Sequence, residues 1–379
     1  MRPPFLRRAP RALAGTFALA LGAALSLAAC DDDAPTEPAE GRPVVALNLP
    51  QGPGNLTITP SGLRVTSLHQ FYAPVRVLAE VFGGGQLANF PRAGEGALGV
   101  GLTSVLGVRS DTAGVLWILD NGNSGKAPSK ILAYDTRTGA VRRTIALAAP
   151  VVDTNSFIND LAFDYQRNQL YISDPAGPAN SALIVVDLAT NTARRVLQGH
   201  PSVLAEDVPV VVEGKAPRRR LPNGAVVPVR IGVDGIGIDY AREWVYYGPL
   251  TGLSMYRVRA ADLADPALTP AQLAARVERY ASKPPSDGIA LDSAGNIYLG
   301  DLPGNAVGVI AASDRSYRRI AEGPQLQWMD DFEWGPGGEL YAVSTQLHVS
   351  PELNAGADES RPPFRVFRVR PLARGRQGF

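Results

Sequence analysis

The sequence predicts an all-β chain folded as a six-bladed β-propeller with short helical and hairpin insertions. Three observations carry that prediction. One hairpin pattern repeats through the chain, the copies are spaced by about one four-stranded blade, and the last strand-like run is placed to complete a blade begun near the N-terminus.

The clear copies are LGVRSDTAGVLWILD (106–120), NDLAFDYQRNQLYISD (159–174), DGIGIDYAREWVYYG (234–248), DGIALDSAGNIYLGD (287–301) and DDFEWGPGGELYAVS (330–344). A weaker sixth is NLTITPSGLRVTSLHQ (55–70). Each reads as an apolar strand, a polar or glycine-bearing turn, and a strand with an aromatic or β-branched centre, which is a β-hairpin. The copies recur every ~40 to 75 residues, the length of a blade plus loops. Runs such as SKILAYDTRTGAVRRTIAL, SALIVVDLATNTARRVL and AVGVIAASDRSYRRIAE supply the more polar outer strands. The closing run PFRVFRVRP (363–371) would fasten the ring, since an open blade leaves an exposed edge.

Helix is expected in LTPAQLAARVERY (268–280), where Thr269-Pro270 offers an N-cap and a first-turn proline, and around HPSVLAEDV (200–208). Residues 213–232 read as an inserted hairpin turning at Pro222-Asn223-Gly224, with Arg218, Arg219 and Arg220 on a solvated face. The expected plan is a signal peptide (1–29), a lipidated cysteine and flexible tether (30–50), the propeller (51–372) and a C-terminal tail (373–379).

The N-terminal reading rests on a basic start, an apolar Ala/Leu run, and Leu27-Ala28-Ala29-Cys30, which resembles a bacterial lipobox. It implies export, lipidation at Cys30, and a membrane partner through that anchor, with the chain in the bacterial cell envelope. Cys30 is the single cysteine, so the mature domain has neither an internal disulfide nor a thiolate metal cluster. The stretch DDDAPTEPAEGRP after it reads as the tether. With 37 basic and 36 acidic side chains, the broad positive footprint of a nucleic-acid binder is missing. Neither DNA nor RNA is expected as a partner, and a monomer is expected.

Hairpin geometry sorts the aspartates. Asp111, Asp164, Asp239 and Asp292 fall at mid-hairpin turns, where the side chain bonds nearby backbone amides. The others start inner strands or end second strands, so ring closure carries them toward one channel mouth. These are Asn159, Asp160, Asp234, Asp287, Asp330 and Asp331, with Asp120, Asn121, Asp174 and Asp301 beside them. Such a collar suits a cation, an organic amine or a polar ligand, and crowding should raise its pKa values unless a cation compensates. Capping of strand ends and loop amides is the alternative role. Asp287 and Asp160 are the candidate acid–base groups, with His69, at the same mouth, as a candidate proton shuttle. Trp328, Phe332 and Thr345 are placed to line a pocket. Trp117, Tyr171, Tyr246 and Tyr298 recur at matching positions and read as packing between blades.

SLHQFY, SVLGVRSDTAGVLWILDNGN, SFINDLAFDYQRNQLYISD, GVDGIGIDYAREWVYYGPLTGLSMYRV and KPPSDGIALDSAGNIYLGD resemble the major royal jelly protein and yellow family, in its bacterial, dopachrome-tautomerase-related branch. The resemblance covers roughly residues 55–350 and implies a secreted six-bladed propeller with a small-molecule site at one end of the channel. Dopachrome conversion and biogenic-amine binding are the activities it suggests. Where many members have Ser-Asn-Arg-Leu, this chain has Ser344-Thr345-Gln346-Leu347. The 159–174 and 287–301 hairpins are also similar to the gluconolactonase and regucalcin family. That similarity implies Asn159 and Asp287 as ligands of a divalent cation (calcium, magnesium or manganese) in a metal-dependent lactonase. A noncatalytic envelope module that presents its rim to a partner is a third reading.

Overall fold

The computed structural model describes residues 38–92, 98 and 101–378. The signal peptide, Cys30 and the tether as far as residue 37 therefore lie outside the described residues. Six antiparallel four-stranded sheets form the blades. Blades 1 to 5 each take four consecutive strands, with innermost strands Pro53–Ile58, Val105–Ser110, Leu161–Asp164, Val233–Ile238 and Ile289–Leu291.

Blade 6 is built differently. Its inner strands Met329–Trp334, Leu340–Ser344 and Phe364–Val369 come from the end of the chain, and its outermost strand is Val44–Leu49. The closing run thus completes a blade with the N-terminus, and part of the segment expected to be tether belongs to the propeller. The reason is burial. Leu47 and Leu49 are essentially inaccessible and pack with Leu56, Val81, Val343, Phe364 and Val366, tying blade 6 to blade 1. The same strand covers the edge that Phe364–Val369 would otherwise expose.

Packing between blades holds the ring. Separate apolar clusters fill the interfaces of blades 1 and 2, 2 and 3, 3 and 4, 4 and 5, and 5 and 6. The recurrent aromatics sit in these clusters, and three also reach back to the turn aspartate of their own hairpin. Trp117 donates to Asp111 (3.3 Å), Tyr171 to Asp164 (3.1 Å) and Tyr298 to Asp292 (2.7 Å). Those aspartates meanwhile accept turn amides, as Asp292 Oδ1 does from Ala294 (2.9 Å) and Asn296 (3.0 Å). Residue 239 keeps only the turn role, accepting from the Glu243 amide (2.8 Å).

Two helical expectations need correction. A capping box between Thr269 and Gln272 starts a helix, but it runs only Pro270–Ala274, and Glu278–Ser282 is the outer strand of blade 4. That strand pairs with Ser254–Arg259 and buries Tyr280 and Ala281 against blade 5, so tertiary pairing overrides local propensity. Residues 200–208 contain no helix; other short helices lie at Gly122–Gly125, Gly177–Asn180 and Ala260–Ala264. The inserted hairpin forms from Arg218–Arg220 and Val226–Pro228.

The tail crosses the face opposite the candidate site. Leu372 N donates to Tyr298 (2.7 Å), Ala373 N to Asp292 (3.2 Å) and Ser293 N to the Arg374 carbonyl (3.1 Å), while the Tyr165 hydroxyl donates to the Gly378 carbonyl. Beneath it only a cavity of about 60 Å³ remains, lined by Arg109, Glu333 and Gly378 among others.

Candidate functional site

Innermost strands begin irregularly, and this aims the site. Ladder register shifts between Val233 and Ile236 in blade 4 and between Met329 and Asp331 in blade 6, placing Asp234 and Asp330 in bulges. A bulge changes which face a side chain takes, and here it sends carboxylates to the channel mouth. In blade 5 the strand starts at Ile289, leaving Asp287 free of the ladder. The Asp-Gly pairs then bring neighbouring blades together. A Cβ on Gly235 would lie 2.5 Å from the Asp287 carbonyl oxygen, and one on Gly288 only 2.0 Å from that of Asp330. Gly288 N donates to that Asp330 carbonyl at 2.8 Å. Only glycine permits this approach, which draws the three adjacent carboxylates into one cluster.

Above the cluster lies a cavity of about 760 Å³. Asn159, Asp234, Asp287 and Asp330 form its floor; His69, Phe71, Phe157 and Trp328 stand among its walls, and Arg219 and Arg230 at its rim. Phe71 bridges His69 and Phe157, with centroid separations of 4.4 and 5.7 Å, so one wall is a continuous aromatic surface. Trp328 donates its indole N–H to Asp287 Oδ2 (2.6 Å), and Asn159 donates to Asp234 Oδ1. Asp330 Oδ2 is buried with no hydrogen-bond partner.

Burial, reinforced by neighbouring carboxylates, pushes the floor's acids upward. Asp234 rises to about 7, and Asp287 and Asp330 lie well above the usual carboxylate range. Protonated and ionised carboxyls therefore coexist here near neutral pH. His69 moves the other way: burial lowers its pKa to about 3, and its Nδ1 accepts from the Phe71 amide (3.2 Å). A neutral ring with Nδ1 as acceptor presents Nε2–H as a donor, so His69 does not change charge across the neutral range as a proton shuttle would.

The remaining collar residues divide into two groups, neither of which lines this pocket. Asp120, Asp174 and Asp301 tie their blades together. Each pairs with a cation from an outer strand, Lys130 (2.7 Å), Arg195 (2.5 Å) and Arg319 (2.7 Å) respectively, and accepts loop amides. Asn121 bonds Gln70 Oε1 (2.9 Å). Asp160 and Asp331 lie behind the floor. Asp331 takes Arg109 (2.6 Å) and the Leu56 amide (2.7 Å), and Asp160 takes Asn55 (2.7 Å), with its pKa raised by burial to about 6. Thr345 is buried, bonding the Trp328 carbonyl (3.1 Å), and Phe332 belongs to the core between blades 5 and 6.

One charged neighbour of the floor acids, outside the cavity lining, escaped sequence reasoning. Lys283 is 5% exposed, and its ammonium donates to the carbonyls of Pro249 (2.7 Å), Gly252 (3.1 Å) and Pro284 (3.2 Å). Burial lowers its pKa to about 7, opposed by Glu206, Asp234 and Asp287. Three acceptors match the three N–H bonds of the charged form. The sequence signal was a lysine four residues before Asp287, in KPPSD.

The family model for the major royal jelly proteins matches residues 103–375, well over half of the chain. The chain belongs to that family. Among curated proteins nothing matches it. This family member is similar in fold to a luciferin-regenerating enzyme (14% identity, 89% of this chain and 97% of the other, TM-score 0.55). It is also similar to a gluconolactonase from Xanthomonas campestris (11%, 89% and 96%, TM-score 0.54). A third likeness is to regucalcin, a calcium-binding protein from Agrobacterium tumefaciens strain C58 (15%, 90% and 96%, TM-score 0.52). At these identities the likeness concerns the propeller alone.

The fold of those neighbours raises the question of a divalent cation. Oxygen-only donors suit a hard ion, but Asp287 is engaged by Trp328, and Asn159 turns an N–H, not an oxygen, toward Asp234. Among the described residues no group of three or more His, Cys, Asp or Glu side chains is arranged to hold a metal. The arrangement as it stands fits shared protons or a bound organic cation better than a metal cage.

Proposed function

We propose that this chain is an exported, lipid-anchored propeller that binds a small molecule with an aromatic body and a positively charged amine at the channel mouth. The observation that carries the reading is the buried, unpartnered Oδ2 of Asp330, set among acids of raised pKa beneath aromatic walls. An ammonium there supplies the missing partner and the missing charge, while Phe71, Phe157 and Trp328 take the ring. Calorimetric titration at about pH 8 with 2-phenylethylamine and its neutral match 2-phenylethanol tests this. The amine should bind at least about tenfold more tightly, and Asp330→Asn should remove the difference. Equal affinities, or no binding of either, would refute it.

The same floor supports catalysis of a dopachrome-like tautomerisation. In each of two successive shifts an ionised carboxylate of the cluster, Asp287 being the candidate base, takes a ring C–H proton and a neighbouring protonated carboxyl gives one to a quinone oxygen, so the dihydroxy aromatic product forms without a co-reactant. Dopachrome decay followed by absorbance should slow ~100-fold or more in Asp287→Asn; an unchanged rate would leave binding as the function.

A second reading, a metal-dependent lactonase, draws on the floor carboxylates and the gluconolactonase-like fold, and requires Asn159 to turn its amide oxygen inward and Asp287 to leave Trp328. Lactone hydrolysis that survives a chelator would overturn it. Should neither assay show turnover nor any small ligand bind, the rim would be left as a noncatalytic protein-binding surface. Lipidation at Cys30 predicts that labelled palmitate enters the wild-type chain and fails to enter Cys30→Ala, and such an anchor would hold the protein in the bacterial envelope.

A further inference from the structure

Trp328 has a second side. Its ring lines the channel-mouth pocket, and behind it the His348 ring stacks nearly parallel, 4° between planes and 6.2 Å between centroids. His348 in turn lines a separate cavity of about 430 Å³, enclosed by Glu213 and Lys215 of the inserted segment and by residues 324–327, 344–349 and 359–365. This cavity shares none of the floor acids.

Two features make it a site and not a packing gap. His348 is 2% exposed, and its Nδ1 has no hydrogen-bond partner. Burial lowers its pKa to about 4, so the ring is neutral. Its Nε2 lies 4.0 Å from Glu213 Oε2, beyond hydrogen-bond reach, and Nδ1 is the ring nitrogen buried without a partner. The second feature is charge. Lys215 is paired with Glu359, and Glu213 accepts from Gln327 (2.8 Å) and Asn305 (3.3 Å). Arg361 and Arg365 line the same cavity, and among the described residues neither has a carboxylate of its own; Glu359, the acid that senses Arg361, is already committed to Lys215. Gln346 holds the Arg361 backbone from both sides, accepting its N–H (3.0 Å) and donating to its carbonyl (3.1 Å), which anchors the main chain that carries the arginine.

We infer that this cavity binds a small hydroxylated carboxylate. Guanidinium groups take a carboxylate through paired, charge-assisted hydrogen bonds, and a hydroxyl is the group that can satisfy a buried neutral imidazole nitrogen. The volume suits a molecule the size of a sugar acid. The inference rests on residues outside the channel-mouth site and stands apart from its ligand.

The test is calorimetric titration of the mature chain with D-galacturonate and with neutral D-galactose. Galacturonate should bind with one-to-one stoichiometry and galactose at least about tenfold more weakly, the loss of a charge-assisted contact. Arg361→Gln with Arg365→Gln, both at or near the surface, should weaken galacturonate by about tenfold or more. His348→Phe preserves the stack on Trp328 while removing Nδ1, and should also weaken it. Saturating 2-phenylethylamine should leave the stoichiometry unchanged. No saturable galacturonate binding, equal affinity for galactose, indifference to the arginine pair, or displacement by the amine would each overturn the assignment.

Discussion

Replacing Asp234 by asparagine should make the protein more stable, and only above acidic pH. Asp234 is 5% exposed, and burial followed by the Asp160 charge raises its pKa from 3.8 to about 7. A raised carboxyl pKa means that the folded state keeps a proton the unfolded chain has already released. Stability therefore falls as pH climbs from about 4 to about 7, and the loss is complete above that. Roughly three pKa units at ~1.4 kcal/mol each set an upper bound of about 4 kcal/mol. Asn cannot ionise, keeps an oxygen for the Asn159 amide, and also relieves Asp287 and Asp330 of a neighbouring charge. Urea unfolding should show Asp234→Asn exceeding wild type by ~2–4 kcal/mol at about pH 8 and nearly equal to it at about pH 4, with unchanged slopes. A variant that is no more stable than wild type at pH 8, or that gains as much at pH 4, would refute the reasoning. The gain would also identify the floor as a place where stability is given up for function.

Trp328→Phe removes the indole donor from Asp287 Oδ2, and should cost ~1.5–3 kcal/mol in urea unfolding and weaken phenylethylamine in calorimetry. Asp292→Ala strips partners from Tyr298, Asn296 and the Ala294 and Ala373 amides; it should destabilise by at least ~3 kcal/mol in the same assay while leaving ligand affinity unchanged. Deleting residues 38–49 takes the outer strand from blade 6. Losing the burial of Leu47 and Leu49 alone costs ~3–6 kcal/mol, so the midpoint of thermal unfolding should drop sharply, and an unchanged midpoint would contradict the closure.

The repeat was legible because a β-hairpin is local: alternation, a turn residue and a following aromatic all lie within about fifteen residues of one another. Hence the sequence by itself determined the six blades, and it separated the turn aspartates Asp111, Asp164, Asp239 and Asp292 from the rest. It did not disclose that Val44–Leu49 is a strand, because that strand's partner, Phe364–Val369, lies at the far end of the chain. Nor did it show that Glu278–Ser282 leaves the helical pattern to pair with Ser254–Arg259. For the site, sequence placed all the collar residues near one rim, yet they divide by side-chain direction. Residues 120, 174 and 301 end second strands and are claimed by Lys130, Arg195 and Arg319, whereas bulges and the close Asp-Gly approach turn Asp234, Asp287 and Asp330 together. Side-chain direction alternates residue by residue, so a bulge of one residue decides which carboxylate meets the ligand. That parity, with the contacts of Lys283 and His348, exists only once the ring has closed.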